Sequence, residues 1–252
     1  MRFLFFLYFL ILPILFSNGF FDPFEFPKLL LTYLFILLIL PIFFWLRLKT
    51  SFKIQLALPD ALILLFIVLV GLSTLSSKDP SLAVFGTYPR ASQSLLFFLF
   101  TGTLFFLIKA IFKKKDQIRE LLAFIVLGLA ASALYGLFLY GKRVLETGDL
   151  LTRISSTESH PILFGVLMMA GLFVSLALFN KSKRLDKAVF GGITIVFLLG
   201  IIISFSRGVW ISTLAGSLVA GVIFVRHFPF KELFQRLKPT FVVIILALVL
   251  FH

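Results

Sequence analysis

Three arginines in this chain stand where a positive charge is suited to binding an anion. Arg207 is the only charged residue between Lys187 and Arg226, and it separates two apolar runs that are each long enough to cross a membrane. Arg90 and Arg153 likewise precede apolar runs. A charge in so apolar a region is costly unless it serves a site, and a guanidinium offers a planar fork of donors suited to phosphate. The three arginines therefore predict a site for a diphosphate, and the alternative is that each only extends toward the headgroup phosphates of the membrane.

Two titratable residues next to Arg153 are candidates for proton transfer. Transfer of a group to a hydroxyl requires a carboxylate or an imidazole that accepts the hydroxyl proton, and Glu158 and His160 are the candidates here. Pro161 suits the first position of a helix, which would make His160 the capping residue. The alternative, which this position favours, is that both residues cap the helix and order the loop.

Metal and thiol chemistry have no basis in the sequence. The chain has no cysteine, and its three histidines lie far apart, at His160, His227 and His252. Thiolate ligands and catalytic thiols are therefore excluded, and no metal-ligand spacing exists. We expect no metal and no cofactor.

The composition indicates a membrane protein. Apolar residues make up 60% of the 252 residues, 35 are Phe, and 14% are charged. Continuous apolar runs favour helices over the alternating pattern of a β-barrel. The net charge of +13 comes from short basic clusters between apolar runs, which argues against nucleic-acid binding and for contact with membrane lipids. The sequence predicts an all-α polytopic membrane protein, with residues 1–252 forming one transmembrane helical domain.

The apolar runs predict about eight full transmembrane helices and a truncated ninth. The ninth run has only 12 residues, 240–251, where a crossing needs roughly 20. We therefore expect an N-terminal fragment of a longer protein. The first run could also be a signal peptide, but its internal Pro13 favours an uncleaved helix. The eight runs lie near 3–16, 29–46, 57–75, 91–112, 121–140, 161–179, 188–205 and 209–225.

The basic residues predict a cytoplasmic N-terminus. With that orientation, 17 of the 24 Lys and Arg residues fall on the inner side and 7 on the outer side. Arg90, Arg153 and Arg207 then lie at outward helix N-termini, where free N–H groups also favour an anion. We expect the spans to contain no ionisable group. The charges of the first two outer loops, Asp22, Glu25, Lys78 and Asp79, resemble ordinary solvated loop charges.

These segments resemble the O-antigen ligase and Wzy-type polymerase superfamily. The resemblance rests on Arg-Ile-Ser-Ser-Thr-Glu-Ser-His-Pro-Ile-Leu-Phe-Gly at 153–165 and on Ser-Phe-Ser-Arg-Gly-Val-Trp at 204–210. Gly86 and Arg90 also fit the family's pattern before an earlier helix. Glu158 stands where an aromatic residue is usual, and Ile162 where Asn is usual.

The resemblance implies a function at the outer face of a bacterial cytoplasmic membrane. It implies a GT-C-like fold and metal-independent transfer of a glycan from undecaprenyl pyrophosphate to a lipid, glycan or protein acceptor. Arg90, Arg153 and Arg207 would bind the donor pyrophosphate. A large outer loop with further essential residues would follow, so the fragment alone would be inactive. Two alternatives remain, which are a transporter or flippase of lipid-linked sugars and a non-catalytic membrane scaffold.

Overall fold

The computed structural model describes residues 1–47, 57–87, 93–180 and 184–227, and the regular elements among them are all helical. No strand occurs in these ranges. The helices, in chain order, are α1 (Arg2–Ile11), α2 (Glu25–Arg47), α3 (Leu58–Leu75), α4 (Pro80–Phe85), α5 (Leu95–Ile111), α6 (Lys115–Thr147), α7 (Pro161–Asn180), α8 (Arg184–Ile203) and α9 (Arg207–His227).

Five of the described helices are long and apolar enough to cross a membrane. They are α2, α3, α6, α7 and α8, and together they indicate a multi-pass membrane protein. The first, fourth and eighth predicted spans correspond to shorter apolar helices in α1, α5 and α9. The ninth predicted span lies outside the described residues. The number of eight full spans therefore stays a prediction.

Helix α1 is shorter than its apolar run because of Pro13. The helix ends at Ile11, although the apolar run continues to Phe16. Proline has no N–H to donate to the preceding turn, and its ring clashes with the carbonyl four residues earlier. The next two amides, those of Ile14 and Leu15, both bond to the carbonyl of Ile11 and close a tight turn. The apolar run thus predicts the helix but not its C-terminal end.

The contacts divide the chain into two compact units. The first contains residues 1–132 and 157–159, and the second contains residues 133–156 and 160–252. Helix α6 contributes to both, so the division falls within a continuous helix, and the single domain predicted for residues 1–252 stays a prediction. The core of the first unit is aromatic: the Phe5 ring meets those of Phe35 and Phe112 edge to face, at 5.0 and 5.7 Å between centroids.

Glycines on α7 and α8 let these two helices of the second unit pack closely. A Cβ at Gly171 would lie 2.7 Å from the ring of Phe197, and a Cβ at Gly200 would lie 2.9 Å from Met168. Small residues let helix backbones approach closely in lipid, where the packing of side chains drives association. A hydrogen bond of 2.9 Å between the hydroxyls of Ser175 and Thr194 joins the same two helices.

The expectation of spans without ionisable groups is wrong for α3 and α5. Asp60 in the first turn of α3 is buried and forms an ion pair with Lys109 in the last turn of α5. The Asp60 carboxylate also accepts the amide of Ala57 at 2.7 Å. Both charges lie at helix ends, where a carboxylate can cap a helix and a lysine can extend toward water.

Candidate functional site

The loop that carries Arg153 is buried along much of its length. Helix α6 continues to Thr147, well beyond the end of its apolar run, so the loop covers only residues 148–160. Loops usually lie on the surface, because a buried loop must find partners for its backbone polar groups. Here those partners can be named. The loop residues that are at most 7% exposed are Thr152, Ile154, Ser156, Thr157 and Glu158.

Arg153 contacts the turn between α8 and α9. Its guanidinium donates to the carbonyl of Phe205 at 3.0 Å, and the next amide, that of Ile154, donates to the carbonyl of Ile203 at 3.4 Å. The Arg153 side chain is itself exposed. The segment around Arg153 therefore runs beside the turn that leads into Arg207, all within the second unit.

The turn before Arg207 has a constrained backbone. Phe205 has a φ of 45°, a left-handed conformation that is uncommon for a bulky residue. The amide of Phe205 bonds to the carbonyl of Ile202 at 3.0 Å. The Ile201 carbonyl accepts both the Ser204 hydroxyl at 2.7 Å and the indole N–H of Trp210 at 3.0 Å. These bonds fix the course of the chain where α9 begins.

The structure brings together two of the three predicted arginines. Arg207 is the first residue of α9 and is exposed, and Arg153 is bonded to the carbonyl two residues before it. The first amides of a helix carry a partial positive charge, which adds to that of the two guanidinium groups. This arrangement is chemically suited to phosphate oxygens. Arg90 lies outside the described residues.

Glu158 is paired with a lysine in the first unit. The ammonium of Lys28, in the first turn of α2, forms an ion pair with the Glu158 carboxylate and donates to the carbonyl of Thr157 at 2.9 Å. The Thr157 hydroxyl bonds to the carbonyl of Pro13 at 2.7 Å and to the hydroxyl of Ser132 at 2.6 Å. These contacts give residues 157–158 a buried and fully bonded environment.

Burial raises the pKa of the Glu158 carboxyl above its usual value. Loss of solvation is the largest cause, the attraction of Lys28 opposes it, and the charge of Glu25 adds to the rise. The residue is only 7% exposed. A carboxylate that is buried and already paired is poorly placed to reach an acceptor hydroxyl, so the contacts favour loop ordering, the alternative role predicted for Glu158.

His160 caps helix α7 as its position before Pro161 predicts. Its Nδ1 accepts the amide of Ile162 at 3.2 Å, and its carbonyl accepts the amide of Phe164 at 3.1 Å. With Nδ1 accepting, the proton of the neutral imidazole lies on Nε2. His160 is exposed, and its Nε2 is then a donor, which suits an anion better than it suits the removal of a proton.

Three loop residues described above as ordinary solvated charges also have structural partners. Asp22 accepts the amides of Phe24 and Glu25 at 2.9 and 3.1 Å, Glu25 accepts the Ser159 hydroxyl at 2.8 Å, and Asp79 caps α4. The amide of the third helical residue of α4 and a nearby hydroxyl hold the pKa of Asp79 below its usual value.

Lys28 is the residue that the sequence interpretation missed. A signal was present, since Lys28 directly precedes a long apolar run and an ammonium in that position requires a partner. The identity of the partner could not be read from the sequence, because 130 positions separate Lys28 from Glu158.

Comparison of the chain with protein-family models, with curated protein sequences and with solved structures finds no match.

Proposed function

We propose that this protein is a membrane glycosyltransferase of the O-antigen ligase and polymerase type, acting at the outer face of a bacterial cytoplasmic membrane. The observation that carries the proposal is the bond from Arg153 to the carbonyl of Phe205. The bond supports the proposal because it joins Arg153 to the carbonyl two residues before Arg207, the first residue of α9, although 54 positions separate the two arginines in sequence. The proposed fold is GT-C-like with eight full spans, and the proposed donor is a glycan on undecaprenyl pyrophosphate.

The arginines would act on the leaving group. When the bond between the sugar and the pyrophosphate breaks, negative charge develops on the pyrophosphate oxygens. Arg153 and Arg207 would stabilise that charge, with Arg90 as the third proposed ligand. Donors that are already oriented need no reorganisation during the reaction, and the hydrogen bond of Arg153 supplies such orientation.

The two candidates for proton transfer, Glu158 and His160, have different roles in this proposal. Glu158 is paired with Lys28, and His160, whose Nδ1 accepts a backbone amide, presents a donor at Nε2. We therefore propose His160 as a hydrogen-bond donor to a phosphate oxygen and Glu158 as a loop-ordering residue. The acceptor hydroxyl would lose its proton to a group other than these two.

The test is binding of undecaprenyl pyrophosphate to the purified protein in lipid nanodiscs. Arg207→Gln and Arg153→Gln each remove one charge-assisted contact of about 1.5–3 kcal/mol, so each should weaken binding by roughly 10- to 100-fold. Arg143→Gln is the matched control, because Arg143 is exposed at the end of α6 and carries the same charge. In the full-length protein, glycan transfer in membranes should fall with the same two variants. Unchanged binding, or equal loss with the control, would refute the proposal.

A transporter is not favoured by any contact in the described residues. Ion-coupled transporters place ionisable groups near the bilayer midplane at broken helices. The ion pair of Asp60 and Lys109 lies instead in the first turn of one helix and the last turn of another. A scaffold would need no phosphate ligands at the start of α9, and the binding test above distinguishes that alternative as well.

A further inference from the structure

A basic cavity lies in the first unit, far along the chain from the two arginines. It has a volume of about 570 Å³ and is bounded by the start of α1, the C-terminal ends of α2 and α5, and the link from α5 to α6. Its volume falls in the range of about 300–1,000 Å³ that is typical of small-molecule sites. The residues that line it include Arg2, Phe43, Leu46, Ile111, Lys113 and Lys114.

The charged side chains that line the cavity are all positive. Arg2, Lys113 and Lys114 line it, and no Asp or Glu does among the described residues. The side-chain carbonyl of Gln117 accepts the amides of Lys113 and Lys114 at 3.2 and 3.3 Å. Because those bonds fix the backbone of the link, the two lysines are held at one edge of the cavity. Such a set of cations is complementary to a phosphate group.

Part of the cavity wall is apolar. Phe43 and Leu46 from the last turns of α2 face it together with Ile111 from the end of α5. Leu46 is 52% exposed, so this wall is open to an apolar partner. A free phosphate would make no use of such a wall. A molecule with an anionic head and an apolar body would use both surfaces.

The proposed topology places this cavity where such molecules are abundant. The lysine-rich link and the start of α1 lie on the side that the positive-inside rule assigns to the cytoplasm. The cytoplasmic leaflet carries anionic lipids, and basic pockets between helices on that side bind their headgroups. We infer that this cavity binds the phosphodiester headgroup of an anionic phospholipid.

The matched variants are Lys114→Gln and Lys115→Gln. Both lose one charge from the same lysine run, but only Lys114 lines the cavity. The purified protein is titrated with phosphatidylglycerol, and the bound lipid is counted by native mass spectrometry. Lys114→Gln should weaken binding about fivefold, the effect of one lysine close to an anionic headgroup, and Lys115→Gln should leave it unchanged. Arg2→Gln serves as a second cavity variant if Lys114→Gln does not fold.

Three results would overturn the inference. Equal loss with Lys114→Gln and Lys115→Gln would mean diffuse attraction to the basic run. Equal binding of phosphatidylcholine would mean that the charges have no role. Displacement of phosphatidylglycerol by inorganic phosphate or glycerophosphoglycerol at matching concentrations would mean that the ligand is a soluble anion. None of these measurements depends on the proposed transferase activity.

Discussion

The ion pair between Lys28 and Glu158 allows a quantitative test of how the buried loop is held. The perturbation is a double-mutant cycle with Lys28→Met, Glu158→Gln and the double variant. The two side chains are 15% and 9% exposed, so they retain little solvent screening. Two unit charges about 4 Å apart attract by about 4 kcal/mol at an effective dielectric constant of about 20. Desolvation reduces the net gain from the pair, but removing one partner leaves the other buried and uncompensated.

We therefore expect Lys28→Met to lower the free energy of unfolding by about 3 kcal/mol at pH 8. The double variant should be less destabilised than the sum of the single variants, with a coupling of about 2–3 kcal/mol. Unfolding in mixed detergent micelles measures these differences. The matched control is the exposed pair Lys142 and Glu146, which are 3.8 Å apart and each 61% exposed. Its cycle should give a coupling of at most about 0.5 kcal/mol.

The pH dependence of the same cycle follows from the raised pKa of Glu158. A carboxyl with a raised folded-state pKa binds its proton more tightly in the folded protein, so its contribution to stability is complete below the unfolded-state pKa. That contribution is lost as the pH rises through the folded-state pKa. Removal of the Lys28 charge takes away the attraction that opposes the rise. The cost of Lys28→Met should then be largest at pH 8 and should shrink toward pH 4. A cost that is independent of pH, or additive single variants, would refute the assignment of a buried ion pair.

Two further substitutions, each with a control, test the contact between α7 and α8 and the bonding of the loop by thermal unfolding in detergent. Gly171→Ala would place a Cβ 2.7 Å from the fully buried ring of Phe197 and should cost about 1–3 kcal/mol, whereas Gly192→Ala, with no atom within 4 Å, should stay within about 0.5 kcal/mol of the parent. Equal effects would contradict the close contact of α7 and α8. Thr157→Val removes a buried hydroxyl bonded to a carbonyl in the segment after α1, and it should cost about 1–3 kcal/mol. The control is Thr213→Val, which loses a bond only within its own helix. An equal loss of stability in this control would contradict a stabilising role for the bond between Thr157 and Pro13.

Helix starts in the second unit could be predicted from local chemistry. Pro161 begins α7 and His160 caps it, as the fixed φ of proline and its missing N–H require. Arg207 begins α9 where one apolar run gives way to the next. Each of these signals lies within a few residues of the feature that it predicts.

Helix α6 shows where hydropathy fails as a guide. Its last turns contain Lys142, Arg143 and Glu146, which end the apolar run but not the helix. Lys142 and Glu146 are four positions apart and lie on one face of the helix, where opposite charges stabilise it. The polar extension leaves a shorter loop than the sequence predicts, and the burial of that loop depends on contacts from distant helices. The partners of Glu158 and Asp60 could not be predicted for the same reason, because both ion pairs join residues far apart in sequence.

The bond between Arg153 and Phe205 positions the guanidinium but uses only part of its capacity to donate hydrogen bonds. A guanidinium has five N–H groups, and the bond to the carbonyl involves one of its nitrogens. The guanidinium has further donors, and the side chain is exposed, so these donors can meet an anion that approaches the start of α9. A lysine in the same place has its three donors on a single nitrogen, so holding the carbonyl would pull its only charge away from the ligand. Under the proposed function, an arginine at 153 would perform two tasks at once, holding the α8–α9 turn and presenting charge to phosphate. The left-handed backbone of Phe205 agrees with the first of these tasks, because strain of this kind persists only where surrounding contacts impose it.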